Sequence, residues 1–344
     1  MSFNRDFSFH PWQVNELNFP REGEPIQRLK FLLRYAILAP SIHNTQPWRF
    51  SVAEDRILVF SDQLKWVEVA DADQRELHIS IGCALENLII SAEHFGYGHQ
   101  VHYFPRTTDG KQFTELILTP GGGPSSLRSR DLFDAILVRR TNRERYEARA
   151  VSEEDERRLQ ACFIEEGVTL YMTSEPEIRR EADALVGRAD AIQFSDPAFR
   201  EELAYWMGRG VFGTPWLFAR LSQMAASYLD LGKYVAKKES DLLMGAPVLA
   251  VICSEENDRE SQVRVGQAFE RMALTAAALG IGIQPMSQLL QVPDTKAELA
   301  QLIGCANSFP QQSFRLGYAG AEKEHTPRRR LVETLVYDKK NPGP

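Results

Sequence analysis

Residues 82–98 read GCALENLIISAEHFGYG, and residues 266–282 read GQAFERMALTAAALGIG. The two stretches align without a gap at an offset of 184, with Gly82/Gly266, Ala84/Ala268, Glu86/Glu270, Ala92/Ala276, Gly96/Gly280 and Gly98/Gly282 identical. Leu85/Phe269 and Leu88/Met272 are apolar in both. In the first copy Ile81, Leu85, Leu88, Ile89, Ala92 and Phe95 follow the spacing of one helix face. Ala84 and Ile90 extend the apolar surface, so the spacing predicts a helix buried on most sides. The second copy is richer in small residues, which let another helix approach closely. Gly96 and Gly280 then stop the helices, because glycine enters the left-handed C-cap without a Cβ clash.

Strand-like sequence surrounds each copy. WRFSVAEDRILVFSD (48–62) reads as a hairpin and HQVHYFP follows the first helix. APVLAVICSE (246–255) precedes the second helix, and SFRLGYAG (313–320) follows it. A sheet packed on a long central helix, present twice, predicts an α+β fold of two pseudo-symmetric halves with antiparallel sheets. The halves are expected at 1–125, an abbreviated one, and 126–344, joined through the Gly/Pro/Ser-rich TPGGGPSSLRSR at 119–130. The second half is longer, with a helical insertion at about 190–240 rich in Trp, Phe and Met; residues 203–218 could cover a site. The chain then reads as a dimer fused into one polypeptide, expected to act as a monomer.

The composition narrows the function classes. The chain has 344 residues, 43% hydrophobic and 25% charged, with formal net charge −7. An acidic chain is not expected to bind nucleic acid or an anionic membrane surface. The longest apolar run, APVLAVIC, is far short of a ~20-residue membrane span, and the first residues lack a signal core, so a cytoplasmic protein is expected. Four cysteines lie far apart in sequence and read as free buried thiols. Seven histidines show no metal-ligand spacing, and no Gly-x-Gly-x-x-Gly follows a strand. No metal site and no built-in nicotinamide domain are expected.

Polar chemistry concentrates in a few segments. APSIHNTQPWRF (39–50) sets Ser41, His43, Asn44, Thr45 and Gln46 between two prolines before an apolar strand. The turn offers neutral hydrogen-bond donors and acceptors on a backbone that its prolines stiffen. RRTNR (139–143) gathers Arg139, Arg140 and Arg143 around Thr141, and Arg328, Arg329 and Arg330 follow Pro327. Arginine grips phosphate oxygens by charge-assisted, bidentate bonds; taken singly, either cluster reads equally as solvated arginine paired with glutamate.

Together these segments resemble the FMN-dependent nitroreductase superfamily, and the two-half layout is nearest its Acg-like, single-chain branch. APSIHNTQPWRF is similar to the superfamily's Ala-Pro-Ser-x-x-Asn-x-Gln-Pro-Trp segment, and RRTNRERY to its Arg-x-Ser-x-Arg/Lys phosphate motif with Thr141 in the serine place. GIGIQPMSQ (280–288) resembles the loop beside the flavin ring, and LGYAG…TPRRRL the Gly-Tyr…Arg-Arg ending. The resemblance spans most of residues 30–335. It implies one FMN held across the halves. Arg139, Thr141, Arg143, Arg328 and Arg329 would hold the phosphate, Arg140 would add backbone or edge contacts, and Pro40, Ser41, Asn44 and Gln46 would meet the ribityl chain and pyrimidine edge. Pro285, Met286, Ser287 and Gln288 would lie near N5 and O4, with no side-chain catalyst. Ser287-Gln288 departs from the acidic residue and glycine common there, which puts loop shape in question. The implied activity is electron transfer from NAD(P)H through the flavin to a nitro compound, quinone or similar small acceptor. The alternatives are an FMN storage protein with a lidded site and, more remotely, a flavin oxidase or flavin-degrading enzyme.

Overall fold

A computed structural model of the chain describes residues 7–106, 114–212, 243–305, 307–320 and 324–336. In chain order they form strand β1 (Phe7–Ser8), helix α1 (Pro25–Ala36), strands β2 (Trp48–Ala53) and β3 (Arg56–Ser61), helix α2 (Arg75–His94), strands β4 (Tyr97–Tyr103) and β5 (Thr114–Pro120), and helices α3 (Arg130–Val138) and α4 (Glu153–Gln160). Strand β6 (Val168–Thr173), helices α5 (Pro176–Ser195) and α6 (Pro197–Gly208), strand β7 (Val248–Ser254), helix α7 (Arg259–Ala278) and strand β8 (Ile281–Pro285) follow. Helices α8 (Gln288–Gln291) and α9 (Pro293–Leu302), strand β9 (Phe309–Tyr318), strand β10 (Arg328–Arg329) and helix α10 (Leu331–Thr334) complete the order.

The repeat is carried by topology as well as sequence. The first sheet runs β2-β3-β5-β4 and the second β6-β7-β9-β8, every neighbour antiparallel. Each is a β-β-α-β-β unit with its last two strands exchanged in space. The helix in each unit, α2 or α7, is one copy of the aligned stretch. The fold is therefore α+β with two like-wound antiparallel sheets. Gly96 and Gly280 end their helices at φ +86° and +70°, the left-handed stop expected of them.

The two helices cross at equivalent residues. A Cβ on Gly82 would meet Gly266 Cα at 2.8 Å, and one on Gly266 would meet Gly82 Cα at 2.9 Å. His78 Nδ1 and Gln262 Oε1, also equivalent in the repeat, lie 2.9 Å apart. On α2 every residue except His94 is buried. One apolar core joins the inner faces of both sheets to α2 and α7. Strand β7 is buried on both sides: Val248, Ala250 and Ile252 enter that core, whereas Leu249, Val251 and Cys253 face α5, α8 and α9. Burial on two faces explains the unbroken apolar run of this strand.

The halves interlock beyond the helix crossing. Residues 328–329 pair with β1, Leu335 bridges to Phe50, and Val336 N–H donates to Phe50 O at 2.7 Å. Residues 328–336 thus return to the edge of the first sheet. From the other side α6 buries Phe199 and Trp206 against Val67 and Ala70, and the Glu202 carboxylate accepts from the N–H groups of Val69 and Ala70, each at 3.0 Å. Of the insertion expected at about 190–240, residues 190–212 form the end of α5, α6 and a short exit, which includes 203–212 of the covering segment expected at 203–218; residues 213–242, and with them 213–218, lie outside the described residues.

Candidate functional site

A cavity of about 600 Å3 opens between the halves, within the ~300–1,000 Å3 usual for small-molecule sites. Its walls come from distant parts of the chain. The 40–44 turn and α2 stand on one side, residues 139–144 and 284–288 on another, α5 and α6 above, and residues 324–328 at one end.

The turn is held in a costly shape. His43, Asn44 and Gln46 have φ of +44°, +54° and +55°, a region that side chains with a Cβ seldom enter. Three such residues in four positions persist only when surroundings over-determine them. Here Ser41 Oγ accepts from Gln46 N–H at 2.9 Å, and Asn44 Nδ2 donates to Val211 O at 2.7 Å and Pro327 O at 2.9 Å. Asn44 Oδ1 takes a bond from Arg328 Nη1 at 2.9 Å. Asn44 therefore joins the turn to the exit of α6 and to the C-terminal segment. Trp48 and Phe50 are fully buried core residues of β2, as the sequence suggests.

At one end the guanidinium groups converge. Arg328 donates to Leu38 O, Asn44 Oδ1 and Thr326 Oγ1 and lies 4.7 Å over the Trp12 ring. Arg140 lies 5.5 Å over the same ring, and its Nη2 donates to His325 Nε2 at 2.6 Å. That bond assigns the His325 proton to Nδ1, which is buried and has no hydrogen-bond partner among the described residues. Burial, then Arg140, Arg328 and Arg139, push the His325 pKa down to about 4. Burial and then Arg139 likewise push Arg328 well below its ordinary value, against the pull of Glu270. Arg139 Nε lies 3.5 Å from Glu270 Oε1. Three arginines thus converge at this end of the cavity, whose lining also carries Glu144 and Glu324, and Glu270 is the near carboxylate of Arg139.

The same segment is tied to the second sheet. Thr141 bridges to Ile283, and Asn142 N–H donates to Ile283 O at 3.0 Å. The arginines therefore sit beside the 285–288 loop. Beyond it lies a polar wall: Glu76 accepts from Ser287 Oγ at 3.0 Å and Gln291 Nε2 at 2.9 Å, and Gln193 Nε2 donates to Gln291 Oε1 at 2.6 Å. Phe194, Phe199, Leu203, Phe212, Ile42 and Phe269 supply apolar surface that suits a flat ring.

Of the residues singled out in the sequence, Pro40, Ser41, Asn44, Arg139, Arg140, Thr141, Arg143, Pro285, Ser287, Gln288 and Arg328 line this cavity. Gln46, Met286 and Arg329 stand behind it. Gln46 is buried, donating from Nε2 to Asn44 O at 3.1 Å and accepting from Arg329 N–H at 2.7 Å. Arg329 donates to Gln46 O at 2.8 Å and pairs with Asp62 at 3.2 Å. Met286 packs in the core between β7 and α9. Trp12, Glu76, Asp190 and His325 line the cavity without having been singled out. None belongs to a motif or periodic pattern, and only the clustering of Trp12 and His325 near arginines in space marks them.

The chain is similar to several known proteins. The Nitroreductase family model matches residues 169–318. A Mycobacterium tuberculosis protein provisionally named NAD(P)H nitroreductase Rv3131 is 30% identical over 325 residues, 90% of this chain and 92% of its own. The Serratia protein named probable NAD(P)H nitroreductase PigM is 24% identical, covering 90% of this chain and 93% of its own. Among solved structures, a nitroreductase with bound FMN from Desulfitobacterium hafniense shares 16% identity at a TM-score of 0.42, covering 61% of this chain and 100% of that one.

Proposed function

This chain belongs to the nitroreductase family, and from that premise we propose that it is an FMN-dependent oxidoreductase whose cavity holds one flavin between the two halves, taken as 1–125 and 126–344. The observation that carries the reading is the convergence in one cavity of the 40–44 turn, the arginines of 139–143 and Arg328, segments that lie far apart in the chain.

The residues present fit the cofactor. Arg139, Arg140 and Arg328 would hold the phosphate dianion, with Thr141 as a hydroxyl donor and Arg143 at the exposed rim. The protonated Nδ1 of His325, unpartnered among the described residues, is a further donor at this end. Ser41 and Asn44, on their pre-strained turn, would meet the ribityl hydroxyls and pyrimidine edge, while the apolar wall of α5 and α6 excludes water from the ring. The backbone N–H groups of Ser287 and Gln288 would face the ring's reactive edge, where a donor favours developing negative charge. When bound, FMN supplies the redox chemistry itself, accepting hydride from NAD(P)H and passing electrons to a nitro compound, quinone or similar small acceptor. The chain orients, desolvates and neutralises; no side-chain acid or base is required of it. The two halves stand in for the two subunits of a dimer, so the working unit is a monomer.

The test is the absorbance spectrum of the purified chain. The expected result is a yellow protein, or one that becomes yellow with added FMN, bleached by NAD(P)H and reoxidised by a quinone. A colourless protein that rejects FMN overturns the reading. A bound flavin reduced by dithionite but not by NAD(P)H would support the storage alternative instead.

A further inference from the structure

All four cysteines are free thiols, and two of them touch. Cys253 lies on β7 and faces the apolar layer beneath α5, α8 and α9 together with Leu249 and Val251. Cys305 lies just beyond α9. That helix ends on Gly304, at φ +71°, with Gly304 N–H donating to Gln301 O at 3.1 Å and Cys305 N–H to Ala300 O at 2.8 Å. This pair of bonds is the Schellman stop, in which the residue after the glycine turns back toward the core. The stop delivers Cys305 onto Cys253, Sγ to Sγ at 3.2 Å. Among the described residues neither of the other two thiols has a sulfur partner: Cys83 Sγ lies 3.3 Å from Gly266 O, and Cys162 Sγ 3.2 Å from Thr275 Oγ1.

We propose that Cys253 and Cys305 are a modification site, a dithiol that hydrogen peroxide converts to an intramolecular disulfide. Two sulfurs at 3.2 Å need to close by only about 1.1 Å to reach the ~2.05 Å bond. The strand and the helix end that carry them share one apolar cluster. Cys305 is half-buried and Cys253 fully buried, so the oxidant reaches Cys305 first. Burial, and then the adjacent Cys305 thiol, push the Cys253 pKa up, which keeps Cys253 protonated until its partner is activated.

The chemistry balances in two steps. The Cys305 thiolate attacks one peroxide oxygen and the O–O bond breaks. The product is a Cys305 sulfenic acid, and the departing hydroxide takes a proton to leave as water. The Cys253 sulfur then attacks the Cys305 sulfur, the S–O bond breaks, and a second water leaves with the thiol proton. Two thiols lose two electrons in all, and one peroxide gains them. The loop so closed contains α7, β8, α8 and α9, and therefore the cavity-lining Pro285, Ser287 and Gln288. The bridge would fasten the base of the segment that forms this wall.

The test uses the full chain with a graded series of hydrogen peroxide. Free thiols are titrated under denaturing conditions, and peptides are mapped without reduction. The expected result is a fall from four thiols to two, one cross-linked peptide pair carrying residues 253 and 305, and full reversal by dithiothreitol. Cys305→Ser, at a half-buried position, should fold and give no cross-link, whereas Cys162→Ser should still give it. A titre that stays at four, a cross-link through Cys83 or Cys162, or oxidation of Cys305 to sulfinic acid without a bridge overturns the proposal. None of these readouts depends on flavin.

Discussion

Glu86 and Glu270 occupy equivalent places on the crossed helices α2 and α7, both fully buried, yet their carboxylates meet opposite surroundings. Glu86 is gripped by Arg128 Nε at 2.8 Å and Arg271 Nε at 2.9 Å, with Gln267 Nε2 at 3.2 Å. Glu270 has Arg139 at 3.5 Å and Asn87 beside it, and among the described residues neither oxygen has a hydrogen bond of good geometry. Against the cost of burial, its two arginines take the Glu86 pKa down to about 2. For Glu270 burial outweighs Arg139, and the pKa rises to about 7.

These shifts predict opposite pH dependences for the flavin-free protein. The raised Glu270 pKa means that its contribution to stability is fully present below pH 4.5 and is lost as pH rises toward 7. The loss is at most about 3 kcal/mol. The depressed Glu86 pKa means that its contribution is present above pH 4.5 and disappears as pH falls toward 2. Urea denaturation at pH 5 and pH 7.5 should show Glu270→Gln losing less stability across that interval than the parent. Parallel pH slopes for the two proteins would count against the assignment.

The glycine crossing leaves no room for a side chain. A Cβ on Gly82 would strike the Val263 carbonyl, and one on Gly266 the Ile79 carbonyl, both backbone atoms that cannot swing aside. Overpacking usually costs ~1–3 kcal/mol, and a backbone clash at the centre of the core should reach the top of that range or exceed it. Thermal unfolding of Gly82→Ala and Gly266→Ala should show large, similar drops in midpoint. A drop in only one would deny the symmetry of the contact.

Asn44 holds together three segments that meet at the cavity. Asn44→Ala removes bonds to Val211 O, Pro327 O and Arg328 and leaves a residue with a Cβ at φ +54°. A loss of about 2–3 kcal/mol is expected from unpaired buried partners and backbone strain. Asn44→Gly relieves the strain and should recover part of the stability without the hydrogen bonds. Denaturation midpoints should rank parent, glycine, alanine; a glycine variant below alanine would contradict this.

Ser152, which is not in the cavity lining, offers a local control. Its Oγ accepts from Asp155 N–H at 3.1 Å at the start of α4. Ser152→Ala should cost ~1 kcal/mol and leave the cavity chemistry unchanged. A change in flavin affinity at constant stability would show coupling that this geometry does not provide.

Elements set by local physics were legible in the chain. The 48–62 hairpin, the glycine stops at 96 and 280 and the Ser152 cap each follow from a few neighbouring residues, and the structure has all of them. The cavity was legible where a motif stands in one short segment, as in 40–44 and 139–143. Trp12 and His325 were not, because each gains its surroundings from residues more than a hundred positions away. Gln46 and Arg329 show the converse. Inside their motifs they look like ligand groups, yet in the fold they bond to each other behind the wall.

The sequence by itself determined that there would be two helices of one pattern, two sheets around them and polar turns able to bind. Periodicity, glycine placement and proline-fixed turns act over a few residues, so they are written locally. Only the tertiary structure decided that Gly82 would meet Gly266, that Glu86 would be neutralised while Glu270 was left nearly bare, and that Cys305 would touch Cys253. Such pairings depend on how whole elements cross, and the cost or gain of a buried charge or thiol is set by the atoms that packing brings beside it.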